Sequence, residues 1–201
     1  ERVLRHSSSA DMTTSGLRKT PTRSISLSIT SPSPGAQVSI VGEPFDFRTG
    51  ICSGIASVGN VGSTRKFKYG PLGNTVNLAS RLQGSAKQFG VRQVISHATA
   101  QAVADDHDLL CRPLGTTRLV NLSQPVHVYE LCEQVTPSSK RLASGFSRAI
   151  HAHQSGDHNA TEVELSQLAS EFPDDQPTLR LLKRLRSGQQ PADCLWHFES
   201  K

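Results

Sequence analysis

The chain of 201 residues reads as an α/β (α+β) domain followed by a small helical tail. Two changes of pattern predict this. Between residues 47 and 131, short β-rich runs alternate with helical periodicity, and beyond residue 135 only the 3.6-residue apolar period remains. The first 46 residues follow neither pattern. They are rich in Ser and Thr, as in Ser7-Ser8-Ser9, and read as a mostly disordered segment. The division expected is therefore 1–46, 47–134 and 135–201.

In the first segment only Ile25-Ser26-Leu27-Ser28-Ile29 alternates, which predicts a marginal edge strand ended by Ser-Pro-Ser-Pro-Gly. Residues 47–58 read as a strand. Its small residues Gly50, Ser53, Gly54 and Ala56 would let a neighbouring backbone or a ligand approach. A Gly-Asn-Val-Gly-Ser turn and a charged hairpin-like stretch at 65–69 follow. A helix should start at Asn74 or Thr75, bury Leu78, Ala79, Leu82, Ala86 and Phe89, and stop at Gly90.

After it come a short strand at 92–95, Ser96 as the N-cap of a helix over 97–104, and strands at 117–122 and 126–131. In the tail, Leu142, Phe146, Ala149 and Ile150 mark one amphipathic helix. Ala160, Val163, Leu168 and Phe172 mark a second, with Asn159 and Glu162 as its capping box. A third starts at Pro177, buries Leu179, Leu182 and Leu185, and stops at Gly188. A helical hairpin plus one helix is similar to a single tetratricopeptide-like repeat. One such unit cannot bury both faces, so it should pack on the preceding domain or on a partner.

Composition narrows the function classes. The net charge of +5 comes from 22 basic and 17 acidic side chains, with no basic stripe interleaved with aromatics, so nucleic acid is not expected as a partner. No apolar run approaches the roughly 20 residues of a membrane helix. Cys52, Cys111, Cys132 and Cys194 are too scattered for a zinc knuckle or a disulfide framework, which suits a reducing, cytoplasmic compartment.

Asn77 and Arg81, four apart on the expected helix, project from one face beside the apolar stripe. A guanidinium supplies fixed donors to phosphate oxygens and an amide orients a ligand, which suits stabilisation of charge in phosphoryl chemistry. Alone, such a pair is most simply solvated. Gly59-Asn60-Val61-Gly62 lacks the Lys-Ser/Thr of a phosphate loop and reads as a tight turn. His151, His153 and His158 read as solvated helix-face histidines. Lys183, Arg184 and Arg186 read as the basic last turn of a helix.

Arg48-Thr49-Gly50-Ile51, Val58-Gly59-Asn60-Val61-Gly62-Ser63 and Gly73-Asn74-Thr75-Val76-Asn77-Leu78-Ala79-Ser80-Arg81-Leu82 stand in sequence. They are followed by Gln88-Phe89-Gly90, Ile95-Ser96-His97-Ala98-Thr99, Arg112-Pro113-Leu114-Gly115 and Gln124-Pro125-Val126-His127-Val128-Tyr129-Glu130-Leu131. This series resembles the C-terminal half of the catalytic domain of class III adenylate and guanylate cyclases. The tail, with Pro173-Asp174-Asp175-Gln176-Pro177 and Trp196-His197-Phe198, is similar to the helical extension of a bacterial adenylate cyclase subgroup.

The resemblance implies a partial ferredoxin-like domain and conversion of ATP or GTP to the 3′,5′-cyclic monophosphate and pyrophosphate. It implies a head-to-tail cyclase dimer in which two metal-binding aspartates of one subunit act with an Asn and an Arg of the other. Asn77 and Arg81 match that Asn and Arg. Mg²⁺ or Mn²⁺ is the implied cofactor, and longer relatives are often membrane-anchored.

Three departures stand beside the resemblance. The aspartate motifs belong to the half of the domain expected upstream of residue 47, and neither Asp11 nor Asp46 has their context. Gly70 stands where relatives have Asp or Thr for reading the base, and Val120 where they have a phosphate-binding Lys. Lys66 and Lys68 lie in the preceding hairpin. Three readings stay open: an adenylate cyclase inactive alone, a catalytically dead dimerisation or regulatory module, and a truncated gene product.

Overall fold

A computed structural model describes residues 39–40, 43–44, 47–63, 66–120, 122–188 and 196–198. The suggested edge strand at 25–29, Asp11 and Asp46 lie outside the described residues. In chain order the elements begin with β1 (Ser39–Ile40), β2 (Glu43–Pro44), β3 (Thr49–Ile51), β4 (Ser57–Ser63), β5 (Lys66–Leu72) and α1 (Asn74–Phe89). There follow β6 (Gln93–Ser96), α2 (His97–Ala102), β7 (Cys111–Arg118), β8 (Val126–Leu131), α3 (Pro137–Gln154), α4 (His158–Glu171), α5 (Gln176–Arg186) and β9 (Trp196–His197). The fold is mixed α/β, as the alternation of patterns predicts.

A five-stranded sheet runs in the order β3-β6-β8-β7-β9. The outer pairs β3/β6 and β7/β9 are parallel, and the inner pairs β6/β8 and β7/β8 antiparallel. β4 and β5 form a separate antiparallel hairpin, and β1 and β2 a small pair. Pro113 sits in β7 beside a register shift, and β9 pairs only with Thr117 and Arg118. A proline is accommodated there because, among the described residues, that stretch of the strand has ladder partners on one side only.

One apolar cluster holds the molecule together. It joins Leu82, Ala86 and Phe89 of α1 and Val94, Leu114 and Val128 of the sheet to Phe146, Leu165, Leu168, Leu181 and Trp196 of the tail. The tail thus buries its apolar face against the preceding strands and helix, as a lone helical unit must. Gly145 marks the closest approach of α3 and α4, since a Cβ there would meet Leu168 Cδ2 at 2.6 Å.

Several elements differ from their sequence reading. The strand expected over 47–58 is two strands separated by a loop, because the loop is tied elsewhere: Ser53 N donates to Thr99 Oγ1 at 2.9 Å. The Gly59 to Ser63 turn is instead extended strand, with Gly59 opposite Gly70 and Asn60 opposite Tyr69. The strand expected over 117–122 runs over Cys111–Arg118, where β8 supplies the ladder.

In the tail, Asp157 and not Asn159 caps α4, accepting from Ala160 N at 2.8 Å. Gly156, at φ 80°, turns the chain directly before it and leaves Asn159 inside the helix. Val163 faces solvent, whereas Thr161 and Leu165 are buried. In α5, Leu181 joins Leu182 in the core, and Leu179 is only partly buried.

Candidate functional site

The site is built on α1 and the segments that hold its N-terminal half. Gly73, at φ 131°, turns the chain from β5 into the helix and offers no side-chain cap. The first helical bond of α1 runs from Asn77 N to Gly73 O at 3.1 Å, and its first turn contains no acidic residue. The earlier amide groups of such a helix point outwards without an intrahelical acceptor and carry the positive end of the dipole.

Asn77 and Arg81 both lie on α1, four residues apart, with exposed side chains. Among the described residues, neither side chain makes a hydrogen bond or ion pair. Leu82, one position on, is fully buried, so the polar pair sits beside the core-facing stripe. The helix ends as expected: Gly90, at φ 83°, returns its amide to Ala86 O.

Two close approaches fix the helix laterally. A Cβ on Gly50 of β3 would run into the backbone of Ala79 and Gln83, so the strand meets α1 backbone to backbone. Gly54 is closely placed too, since its Cβ would lie 2.7 Å from Thr75 Oγ1, which itself donates to Ile55 O at 2.8 Å. The loop is tied to α2 as well. Thr99 Oγ1 donates to Ser53 Oγ at 3.1 Å, and the cap Ser96 Oγ lies 2.9 Å from it. The small residues read from the sequence thus serve protein contacts at Gly50 and Gly54.

Gly70 lies in β5 opposite Gly59, and a Cβ there would meet nothing within 4 Å. Val120 follows the end of β7 and is half-buried, while Lys66 and Lys68 are exposed on β5. His153 departs from the solvated reading: it is half-buried, its ring is 5.8 Å from that of His158, and its Nδ1 is buried without a partner.

The residues described here do not fit a two-metal centre. Among them no three His, Cys, Asp or Glu side chains come together to hold a metal ion. The carboxylates of Glu130 and Asp175 are both engaged by Arg112, at 2.7 Å and 2.8 Å. Arg112 is nearly fully buried with its guanidinium 5.2 Å from the centre of the Phe146 ring. Burial opposes its charge, but Glu130 and Asp175 outweigh burial and raise its pKa. Sequence reasoning passed over this cluster, because nothing in Arg112-Pro113-Leu114-Gly115 signals that the arginine points inwards. Among the described residues, no helix is long and apolar enough to cross a membrane.

Residues 12–129 match the family model of the adenylate and guanylate cyclase catalytic domain, and the chain belongs to that family. The match begins well ahead of residue 47 and takes in part of the Ser/Thr-rich segment. Adenylate cyclase 1 of Rhizobium meliloti (strain 1021) is 40% identical over 89 residues, which cover 43% of this chain and 13% of that protein. The terminal-differentiation-specific adenylate cyclase of Dictyostelium discoideum is 28% identical over 143 residues, covering 67% of this chain and 7% of that protein. The chain thus spans only a small part of the curated relatives it matches.

Among solved structures, the adenylyl cyclase CyaB from P. aeruginosa is 32% identical with a TM-score of 0.38, covering 44% of this chain and 43% of that one. The guanylyl cyclase Cya2 is 28% identical with a TM-score of 0.31, covering 42% and 41%.

Proposed function

We propose that this chain contributes the transition-state side of a nucleotidyl cyclase site, with ATP as the substrate, and completes that site in a head-to-tail dimer. The observation that carries the reading is the placement of Asn77 and Arg81 four residues apart in the N-terminal half of α1, exposed and without protein partners among the described residues. In the reaction the 3′-oxygen of the nucleotide bonds to the α-phosphorus, its proton leaves, and the bond from that phosphorus to the pyrophosphate oxygen breaks. Negative charge grows on the oxygens at the α-phosphorus. Arg81 offers a guanidinium to that charge, Asn77 orients the ribose, and the helix end adds unsatisfied amides.

Adenine is preferred in this reading because both curated relatives above bear the name adenylate cyclase. The divalent metal and the carboxylates holding it come from the partner subunit. A dimer partner is also favoured by the β4/β5 hairpin, which among the described residues pairs with no other strand and exposes Val58, Val61, Tyr69 and Leu72. Beside it, Ile55 is 82% exposed. Apolar side chains gathered on one projecting ribbon are the kind of surface that a partner covers.

The test mixes the full chain with a class III cyclase subunit that keeps its metal-binding aspartates but has its own Asn and Arg replaced. Cyclic product is then measured with Mg²⁺ or Mn²⁺ and with ATP or GTP. Product should form only when both chains are present, and Arg81→Ala should lower its rate about 10²- to 10³-fold, the loss typical of one transition-state donor. No product with the unaltered chain, or unchanged product with Arg81→Ala, sinks the reading.

The second reading, a non-catalytic dimerisation or regulatory module, is favoured by Val120, whose apolar side chain cannot replace an ammonium on the phosphates. It forecasts heterodimer formation without product.

A further inference from the structure

Four side chains from the tail converge on the C-terminal end of α1. From α5, one guanidinium nitrogen of Arg180 donates to Lys87 O at 2.8 Å and to Gln88 O at 2.6 Å. Gly90 lies so close beneath α5 that a Cβ there would run into Gln176, and Arg180 Cζ would be 3.2 Å away. Phe89 is fully buried between two tail rings, edge-on to Trp196 at 5.1 Å and to Phe198 at 5.0 Å.

The last carbonyls of a helix lack intrahelical donors and hold the negative end of its dipole. Here Ala86 O is satisfied by the amides of Gly90 and Val91, while Lys87 O and Gln88 O receive Arg180. α5 is itself anchored at the end that packs on Gly90. Its N-cap Asp175 accepts from Thr178 N at 3.0 Å and is paired with Arg112.

Two fixed points set the direction of a rod. For α1 one is the seat of its N-terminal half, where Gly50 meets Ala79 and Gln83 and Thr75 Oγ1 donates to Ile55 O, and the other is the tail clamp at 87–90. If the second is released, the helix pivots about the first. A pivot of about 10° swings the end of a side chain standing about 6 Å from the helix axis by roughly 1 Å, which carries both Asn77 and Arg81 off their aim. Shifts of that size at a reacting centre lower rates by up to about 10²-fold.

We propose that Arg180 is a positioning residue that aims Asn77 and Arg81 through the C-terminal end of α1, making the helical tail part of the catalytic apparatus. The inference rests on the cyclase reading given above. Arg180 acts on the site only through the helix.

The experiment uses the same complementation with the full chain, Mg²⁺ and ATP, comparing Arg180→Ala, Arg180→Lys and Arg148→Ala. Arg148→Ala breaks an ion pair with Glu164 inside the tail and serves as the control. The expected result is a kcat about tenfold lower for Arg180→Ala at unchanged KM. Arg180→Lys, which keeps a cationic donor, should recover most of that loss, and Arg148→Ala should match the unaltered chain.

Unaltered kcat in Arg180→Ala overturns the inference while leaving the cyclase reading intact. An equal loss in Arg148→Ala also overturns it, because general loosening of the tail would then be enough. If Arg180→Ala does not fold, Arg180→Gln takes its place: a fall in kcat alone at unchanged KM supports positioning, and unaltered kcat overturns it. Absence of product with the unaltered chain sinks the cyclase reading itself and the inference with it.

Discussion

Arg112 and Asp175 meet at 2.8 Å across the junction between the sheet and the tail, both nearly buried. The same carboxylate caps α5, and the same guanidinium binds Glu130 on the adjacent strand. Arg112→Met leaves two buried carboxylates without their cation and should lower stability by about 3–5 kcal/mol, measured by urea unfolding. Burial, against the pull of Arg112, already raises the Glu130 pKa. With the folded-state pKa raised, stability falls as pH rises through the interval between the unfolded and folded values. Losing Arg112 widens that interval, so the deficit of Arg112→Met should be larger at neutral pH than at pH 4.

Gly50→Ala tests the backbone contact between β3 and α1. The added methyl runs into the backbone of Ala79 and Gln83, which no side-chain rotation relieves. A loss of about 3 kcal/mol or more is expected in chemical unfolding, in the upper range for overpacking. Gly84→Ala on the same helix meets nothing within 4 Å and should be neutral or mildly stabilising.

His153 should make the tail sensitive to acid. Burial first, and then His158, lowers its pKa below 6.5, so the unfolded chain takes up the proton more readily than the folded one. Its contribution is therefore present above pH 6.5 and is lost as pH falls from there through the depressed folded value. Tm should drop between pH 7.5 and 5.5, and His153→Leu should flatten that drop in thermal scans.

Much of this framework was legible in local sequence. Gly90 as the stop of α1, Ser96 as the cap of α2 and Pro177 in the first turn of α5 all act through neighbouring residues, and the structure keeps each. What could not be read is what depends on distant partners. Gly59 to Ser63 is glycine-rich enough to suggest a turn, yet strand β5 opposite holds it extended. Asn77 and Arg81 are proposed from resemblance and spacing, whereas Arg180 gives no such signal, because its acceptors are carbonyls more than ninety residues away. A backbone carbonyl leaves no trace in residue identity.

Gly70 offers a substitution with room to accept it. Gly70→Asp and Gly70→Thr should both fold with stability within about 1 kcal/mol of the unaltered chain, since no atom lies within 4 Å of the new Cβ. If the cyclase reading holds, their ATP-to-GTP rate ratio in the complementation assay should differ from that of the unaltered chain and from each other. Equal ratios in all three would remove Gly70 from base recognition.

Cys132 should resist thiol reagents. Burial first, then the Glu130 charge, pushes its pKa up to about 12 from 9.0. At pH 8 its thiolate fraction is about a thousandfold below that of an unperturbed thiol. Timed alkylation followed by peptide mapping should show Cys52 modified long before Cys132.

Trp196 is built into the edge of the sheet, where its carbonyl accepts from Thr117 Oγ1, 79 positions earlier in the chain, and its indole donates to Leu114 O at 2.7 Å. During synthesis at about 5–20 residues per second, the ribosome adds the tryptophan roughly 4–16 seconds after that threonine. For that interval the flank of β7 stays unpaired and Phe89 lacks both of the tail rings that enclose it. The nascent chain therefore passes through a stage with an open strand edge next to an unfilled core, and a chaperone that shields such edges would have its main chance to act then.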